Sequence, residues 1–202
     1  HELRTPLTAI SGWTTILQDK RSGVLNDDQA YGLQVIEHSS QHLLALINDV
    51  LDLAKIEAGK MELHPEHVYI EPICQESIES IKTMARRKQI SIEYTQTAQL
   101  ASMFADARAL KQMLVNLLSN AVKFTDYEGQ IKLEVFPDET QEHMLFRVKD
   151  TGIGIAPEHM TLLFQPFVQI DSSLTRHEQG SGLGLVLSHR LAVLHGGDIS
   201  VE

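Results

Sequence analysis

The chain has 202 residues, 43% of them hydrophobic, and 17 Lys and Arg residues against 27 Asp and Glu residues give a formal net charge of -10. This length and apolar fraction allow one large domain or two small domains with cores of their own, while the negative charge argues against direct binding of nucleic acid. No apolar run approaches the roughly 20 residues of a membrane-spanning helix, and the single cysteine, Cys74, excludes an intramolecular disulfide and favours a reducing, cytoplasmic compartment.

The first third of the chain predicts two helices joined by a turn. The first helix has one apolar stripe at spacings of three and four, formed by Leu3, Leu7, Ile10, Thr14 and Leu17. The turn lies at Ser22 to Asp28, where Asn26 or Asp27 can cap the second helix, and Gly59 is suited to end it. The second helix has a seven-residue repeat, formed by Ile36, Leu43 and Val50 with Ile47 and Ala54 between them.

The second helix carries more apolar residues than a single hairpin can bury. Four of them lie off the main seam, namely Leu44, Leu46, Leu51 and Leu53. We therefore expect two helical hairpins to associate into a dimeric four-helix bundle. The alternative is that the excess packs against the rest of the same chain, because a seam alone does not fix the oligomeric state.

The composition changes near Pro65, and the remainder predicts alternating strands and helices. We expect strands at about 61–70, 90–95 and 102–105, helices at about 71–89, 107–124 and 183–195, and a β-hairpin of strands 131–136 and 144–149. This mixture indicates an α+β two-layer sandwich, with domains at 1–64 and 65–202. Because the sequence begins inside a predicted helix and stops inside a predicted strand, near Ile199 to Glu202, we expect a piece of a longer protein.

Polar residues recur on one face of the predicted helix that follows Asp106. Asn116, Asn120 and Lys123 lie at positions i, i+4 and i+7. Two amides and one ammonium on a common face can hold a hydrated Mg²⁺ ion and phosphate oxygens. The alternative is that all three are ordinary solvated side chains, and this segment alone leaves both interpretations open.

Two glycine-rich segments follow. Asp150 ends an apolar strand, where a partly buried carboxylate requires a donor such as the exocyclic amine of adenine. Gly152 and Gly154 let the backbone approach a flat base or turn sharply, although an ordinary turn that opens with Asp has the same pattern. Glycines then alternate at Gly180, Gly182 and Gly184 before an apolar helix, where backbone N–H groups can bind phosphate.

A long segment at about 156–180 separates the two glycine loops. It contains the apolar residues Phe164 and Phe167, and a segment of this length usually forms a lid or a binding loop. Arg176 and His177 lie where such a lid could bring positive charge onto a triphosphate.

The first residues of the chain carry a candidate phosphoryl acceptor. The imidazole of His1 is nucleophilic because its neutral form is abundant at neutral pH, and Glu2 could accept the proton on the other ring nitrogen. Thr5 lies one helical turn away, where it could orient a water for hydrolysis of a phosphorylated partner, and Pro6 should bend the helix. The alternative is a solvent-facing histidine beside an ordinary glutamate.

Together, these motifs resemble those of the histidine protein kinases of two-component signalling. Five segments match that family's H, N, G1, F and G2 boxes, respectively His1 to Leu7, Asn116 to Phe124, Asp150 to Ile155, Phe164 to Phe167, and Gly180 to Leu185. The resemblance covers nearly the whole chain and implies a dimerisation and phosphotransfer hairpin followed by a Bergerat-type ATP-binding domain. The run from Phe164 to Arg176 is most similar to the hybrid branch of the family.

The resemblance implies ATP and Mg²⁺ as cofactors. Asp150 would bind adenine, Asn120 would ligate Mg²⁺, and Asn116 and Lys123 would belong to the metal and phosphate region. The other implied nucleotide-binding residues are Phe124, Gly152, Gly154, Ile155, Arg176, Gly180, Gly182, Leu183, Gly184 and Leu185. The γ-phosphoryl group would pass to His1, assisted by Glu2, and then to an aspartate of a response-regulator receiver domain.

The resemblance also implies partners. It predicts a homodimer through the hairpin and a receiver docked on the first helix near Thr5, Thr8, Ile10 and Ser11. No nucleic acid and no membrane contact are expected for these residues, while anchoring of the parent protein stays open.

Two rival functions remain. Another ATPase with the same nucleotide fold, of the chaperone or topoisomerase type, would use a catalytic acid on the helix of the first Asn, where this sequence has Gln112 and Met113. A degenerate kinase could dimerise and hold a regulator without turnover, and the intact motif residues argue against it.

Overall fold

The computed structural model describes residues 4–19, 23–97, 101–140, 143–169 and 181–202. The chain divides into two compact units, His1–Gly59 and Lys60–Glu202. The division falls at Gly59, whereas the sequence predicted it at His64. The backbone N–H of His64 donates to the Asp106 carboxylate at 2.9 Å, which ties this residue to the second unit.

The first unit contains two helices, α1 (Arg4–Gln18) and α2 (Asp27–Glu57). Asn26 caps α2, because its side-chain oxygen accepts the N–H of Gln29 at 2.8 Å while the Gln29 side chain accepts the N–H of Asn26 at 3.1 Å. Gly59 follows the end of α2 with φ of 64°, the left-handed conformation that commonly ends a helix. Both signals were predicted from the sequence.

Among the described residues, packing within the hairpin buries two residues of α1 and one residue of α2. Leu7 and Thr14 of α1 and Ser40 of α2 are less than a tenth exposed. Ile36, Leu43 and Val50, the residues of the predicted seam, remain 46%, 46% and 45% exposed. The repeat on α2 therefore lies on a surface that the hairpin itself leaves open.

The second unit contains β1 (Glu66–Tyr69), α3 (Ile70–Arg87), β2 (Ser91–Gln96), β3 (Ser102–Ala105), α4 (Ala107–Phe124), β4 (Gln130–Pro137), β5 (Met144–Asp150), a 3₁₀ turn (Pro157–Leu162) and α5 (Gly184–Leu194). β1 and β3 pair antiparallel. In the larger sheet, β4 is the central strand, parallel to β2 and antiparallel to β5, as the predicted hairpin requires.

The core of the second unit lies between the larger sheet and the helices. Alternate β4 residues Ile131, Leu133 and Val135 are at most 1% exposed, as expected for a strand with one buried face. The helices supply Ile81, Leu114 and Leu187, each at most 2% exposed. This confirms the predicted α+β two-layer sandwich after a helical region.

Two predicted strands differ from the structure. β1 begins only at Glu66, because Pro65 has no N–H with which to extend the ladder. The strand predicted at 199–202 is wrong, since no described strand pairs with these residues. Across the described ranges, no helix is both long and apolar enough to cross a membrane.

Cys74 lies on the buried face of α3 and is 0% exposed. Burial raises the pKa of its thiol to about 11, although a hydrogen bond with Tyr94 acts in the opposite direction. The cysteine is therefore a small core residue with a protonated thiol, as its sequence context predicted.

Candidate nucleotide-binding site

Helix α4 is fixed at both ends. At its start, the Asp106 carboxylate accepts the N–H groups of Ala109 at 3.0 Å and of His64 at 2.9 Å. Burial opposes ionisation of Asp106, but these donors outweigh it and lower its pKa. At its end, the Lys88 ammonium donates to the carbonyl oxygens of Val122 at 3.2 Å and Lys123 at 2.7 Å. Both ends of α4, the helix that carries the polar face, are therefore held by side-chain hydrogen bonds.

Asn116 joins α4 to α5. Its side-chain Nδ2 donates to the carbonyl oxygen of Gly184 at 3.2 Å and to Oγ of Ser188 at 3.3 Å. Ser188 is 0% exposed and lies one helical turn after Gly184. Because the side-chain nitrogen of Asn116 donates to α5, the side-chain oxygen is the atom that can accept a hydrogen bond from a ligand or its water.

Asn120, Lys123 and Phe124 continue the face of α4 toward its end. Asn120 lies one turn after Asn116 and is partly exposed. The Lys123 ammonium lies 5.0 Å from the centroid of the Phe124 ring, within the range of a cation–π contact. An amide and an ammonium therefore occupy the part of the face beyond Asn116.

The loop after β5 lies against the end of α4. The Ile153 N–H donates to the carbonyl oxygen of Phe124 at 3.2 Å, and a Cβ added to Gly152 would lie 2.4 Å from the same oxygen. Gly154 has φ of 67° and open space around its Cα. Glycine is therefore required for different reasons at the two positions. Gly152 lets the loop approach the backbone of α4 closely, and Gly154 adopts the positive φ of a turn. Ile155, the last predicted residue here, is 38% exposed.

Asp150 is the last residue of β5, and its Oδ1 accepts the N–H of Gly152 at 2.9 Å. The sequence predicted a partly buried carboxylate, but the residue is exposed. β5 is an edge strand of the described sheet, so its last residue has a neighbouring strand on one side only. The carboxylate is accessible to a ligand in this arrangement.

A buried hydroxyl lies beside this loop. Thr125 is 1% exposed, and its Oγ1 has no hydrogen-bond partner within the described part of the chain. A Cβ added to Gly129 would lie 2.2 Å from Thr125 Cγ2 and 3.0 Å from Thr151 Oγ1. A buried hydroxyl is normally satisfied by protein, water or ligand, so a polar base or its bound water fits the environment next to Phe124 and Asp150.

A backbone hydrogen bond joins the middle of the long segment to the loop just before α5. The N–H of Phe167 donates to the carbonyl oxygen of Gly182 at 3.2 Å. Gly182 has φ of 68°, and a Cβ there would lie 2.8 Å from the carbonyl oxygen of Val168. The predicted site residues Arg176 and Gly180 lie outside the described residues.

Leu183 and Leu185, two predicted nucleotide-binding residues, differ in exposure. The Leu183 side chain is 1% exposed in the core, and its N–H donates to Oγ of Ser181 at 3.1 Å. Leu185 is partly exposed on α5. Leu183 therefore supports the loop from the core in this structure, and its N–H is already bonded.

The structure describes only part of the predicted phosphoacceptor segment. His1 and Glu2 lie outside the described residues, whereas Thr5 is exposed on α1. On the predicted docking face, Thr8 is exposed, Ile10 is 42% exposed and Ser11 is partly buried.

Two family models match the chain. Residues 105–202 match the family described as histidine kinase-, DNA gyrase B-, and HSP90-like ATPase, in agreement with the three motifs assembled on α4. This family alone contains several kinds of ATPase. Residues 1–59 match the His Kinase A (phospho-acceptor) domain, which decides between them. The chain belongs to the sensor histidine kinases.

This histidine kinase aligns over its whole length with curated relatives. It is 43% identical over 205 residues to the non-motile and phage-resistance protein of Caulobacter vibrioides and covers 24% of that protein. It is 41% identical over 204 residues to the circadian input-output histidine kinase CikA of Synechococcus elongatus and covers 27% of it. The chain thus spans about a quarter of the length of these relatives.

A solved structure is similar to both units of this histidine kinase. Full-length ShkA, in complex with AMPPNP, matches with a TM-score of 0.79 and 34% identity over 97% of this chain and 40% of that one. The similarity extends over both the residues that match the phospho-acceptor domain and those that match the ATPase family.

Sequence reasoning missed two residues that support the site of this kinase. Ser188 accepts a bond from Asn116, and its position four residues after Gly184 was the available signal. Lys88 bonds the end of α4 from 34 or more residues away in sequence, and no local pattern reveals such a contact.

Proposed function

We propose that this chain is the core of an ATP-dependent protein-histidine kinase that phosphorylates itself on His1 and then phosphorylates an aspartate of a response-regulator receiver domain. The observation that supports it most is the arrangement around α4. The Asn116 amide bonds α5 at 3.2 Å, and the loop after Asp150 bonds the end of the same helix at 3.2 Å. Three motifs far apart in sequence thereby form one candidate nucleotide site.

In this proposal, Asp150 accepts a hydrogen bond from the adenine amine, and Phe124, Gly152, Gly154 and Ile155 surround the base. Gly182, Gly184 and Leu185 are proposed to contact the phosphates, and the same role is proposed for Arg176 and Gly180. Asn116 and Lys123 contact phosphate or its water. Positive charge matters because the chain is acidic overall and phosphate must be held by local groups.

Mg²⁺ is proposed as the cation, with Asn120 as its protein ligand. Within the described ranges, no group of three or more His, Cys, Asp and Glu residues could hold a metal. An amide oxygen together with phosphate oxygens and water suits Mg²⁺, which keeps much of its hydration shell. When bound, the ion would neutralise charge on the β- and γ-phosphates.

At the phosphoacceptor, a neutral imidazole nitrogen of His1 attacks the γ-phosphorus of ATP. The new N–P bond forms as the bond to the bridging oxygen breaks, and ADP leaves. Glu2 accepts the proton of the other ring nitrogen. The phosphoryl group then moves to a receiver carboxylate, and Thr5 orients the water that later hydrolyses the phosphorylated receiver.

The hairpin is proposed as the dimer interface. Ile36, Leu43 and Val50 recur every seven residues and are nearly half exposed in the single chain. Such a repeat is typical of helices that pack against a partner. The receiver is proposed to dock on α1 near Thr5 and Thr8, and the kinase core is proposed to lie in the cytoplasm, where ATP is available.

The test is incubation with γ-labelled ATP and Mg²⁺, followed by acid and alkali treatment of the labelled chain. A phosphohistidine is labile to acid and stable to base, so we expect label that acid removes. His1→Gln should abolish labelling while calorimetry shows unchanged ATP binding. His38→Gln, a change of an exposed histidine on α2, is the control and should label normally.

Asn120→Asp should weaken nucleotide binding mainly when Mg²⁺ is present. Label that persists in His1→Gln would place the acceptor elsewhere. ATP binding without any labelling would favour the non-catalytic scaffold, and absence of nucleotide binding would refute the proposal.

A further inference from the structure

A histidine on α5 contacts the segment that follows the 3₁₀ turn. The rings of His189 and Phe164 have centroids 4.9 Å apart and an interplanar angle of 34°, a tilted stack within the range of favourable aromatic pairs. On its other side, Nε2 of His189 lies 3.0 Å from Oδ1 of Asp198. The imidazole is therefore held between Phe164 and the residues that follow α5.

The same segment has a second attachment close to the start of α5. The N–H of Phe167 donates to the carbonyl oxygen of Gly182 at 3.2 Å. Residues 164–168 are thus attached at two points. The Phe164 side chain contacts α5, and the Phe167 backbone contacts the loop that precedes α5. Both attachments precede the part of the long segment that carries the predicted Arg176.

Helix α5 also holds the amide of the nucleotide site. Asn116 donates to Gly184 and to Ser188, and Ser188 is the residue immediately before His189. Helix α5 therefore contacts both the polar face of α4 and residues 164–168 of the long segment. Residues 164–168 and the Asn116 amide are therefore both attached to α5.

We infer that His189 is a positioning residue for phosphoryl transfer, acting through its stack with Phe164 to hold residues 164–168 on α5. The inference rests on the proposed kinase function. It assigns His189 no contact with nucleotide. Residues 164–168 are attached at Phe164 and Phe167, so loss of one attachment loosens the segment and leaves the other in place.

The relative strengths of the two His189 contacts decide which one matters. The Asp198 side chain is 76% exposed, whereas that of His189 is 29% exposed. An ion pair with so exposed a partner contributes little because water screens it. The stack removes apolar ring surface from water and does not depend on charge. The ring of His189, and not its bond to Asp198, therefore holds Phe164.

The experiment compares His189→Ala, His189→Phe, Asp198→Asn and Arg190→Ala in the chain of 202 residues. Arg190→Ala is the matched control, since Arg190 is the exposed neighbour of His189 on α5. Amide hydrogen exchange at Phe167 reports whether the segment is held. We expect exchange to become about twofold to tenfold faster in His189→Ala, to return toward wild type in His189→Phe, and to stay unchanged in the other two.

Autophosphorylation at saturating ATP supplies the second measurement. His189→Ala and Phe164→Ala should each lower the rate by about the same factor, and the double variant should be no slower than the slower single variant, because both changes remove one contact. Multiplicative rate losses would overturn the inference. So would unchanged exchange at Phe167 in His189→Ala, or failure of a folded His189→Phe to restore it.

The two proposals fail differently. If the wild-type chain takes up no label, the proposed function fails, yet exchange at Phe167 still reports on the contact. If labelling is normal but exchange responds equally to His189→Ala and Arg190→Ala, the kinase assignment stands and the role of His189 is refuted.

Discussion

Gly152 occupies a position where a single methyl group would displace backbone. Its Cβ would lie 2.4 Å from the Phe124 carbonyl oxygen and 2.8 Å from Oδ1 of Asp150. Side-chain rotation cannot relieve the first contact, because the Phe124 oxygen belongs to the last turn of α4. The loop and the helix can therefore lie this close only with glycine at residue 152.

We expect Gly152→Ala to weaken binding of a non-hydrolysable ATP analogue by about tenfold or more, because overpacking costs ~1–3 kcal/mol and moves the loop away from α4. Gly154→Ala is the comparison, since a Cβ there meets no atom within 4 Å and the φ of 67° is the only source of strain for alanine. Calorimetric titration measures both affinities. Equal affinities of Gly152→Ala and wild type would contradict the expectation.

At the same scale, the sequence reveals residue types more readily than partners. The i, i+4 and i+7 spacing placed Asn116, Asn120 and Lys123 on one face of a helix, as the structure has them. This spacing does not show that Asn116 donates to Ser188, 72 residues later. That contact depends on how α4 and α5 pack, and a local pattern does not encode it. The nucleotide roles of these residues stay predictions.

Helix α4 was predicted with the bounds it has in the structure, Ala107–Phe124. Its apolar period is a local signal, and the structure adds a local cap at Asp106. The stabilisation of its other end is not local, since Lys88 follows α3 and reaches the carbonyl oxygens of Val122 and Lys123. A cation at this end also interacts favourably with the negative end of the helix dipole.

Replacing Lys88 by Met should therefore lower the free energy of unfolding of the second unit by about 1–2 kcal/mol, because the change leaves helix carbonyls without a charged donor. Lys82→Met is the control. Lys82 forms an exposed ion pair with Glu79 on α3, and loss of such a pair costs less than about 1 kcal/mol. Urea unfolding followed by circular dichroism measures both, and equal losses would contradict the role of Lys88.

Asp106 makes the start of α4 sensitive to acid. Folding lowers the pKa of this carboxyl, so its ionised form contributes stability above the ordinary pKa of 3.8, and this contribution is lost as the pH falls through the lower folded-state pKa. Asp106→Ala should cost about 1 kcal/mol at pH 7, and the difference from wild type should shrink below about pH 4.

Urea unfolding at pH 7 and at pH 3 tests this. Fluorescence of Trp13, the one tryptophan of the chain, reports unfolding of the first unit separately. A difference that is the same at pH 7 and pH 3 would show that the charge of Asp106 contributes nothing.

For the whole molecule, fold class was predictable and the extent of some strands was not. Alternating periods of two and 3.6 residues gave the helical hairpin and the α+β sandwich. The strand predicted at 199–202 fails because pairing requires a neighbour, which composition alone does not supply. The parallel pairing of β2 with β4 likewise depends on a crossover between distant segments.

Association of two copies is the prediction that belongs to this scale. Leu43→Glu places a charge in the proposed seam and should raise the dimer dissociation constant by about a hundredfold or more, because an unpaired buried charge costs several kcal/mol. Ala45→Glu is the control, since Ala45 is exposed and lies about 200° around α2 from Leu43. Sedimentation velocity over a range of concentrations measures both. Equal dissociation constants would move the interface away from this seam.

The enclosed thiol of Cys74 has a practical consequence for fluorescent labelling of the chain. With 0% exposure and a pKa of about 11, it contributes almost no thiolate at neutral pH, and maleimide dyes react with thiolates. The chain has no other cysteine. Pairs of surface cysteines can therefore be introduced, one in each unit, and labelled for fluorescence energy transfer without first replacing the native residue.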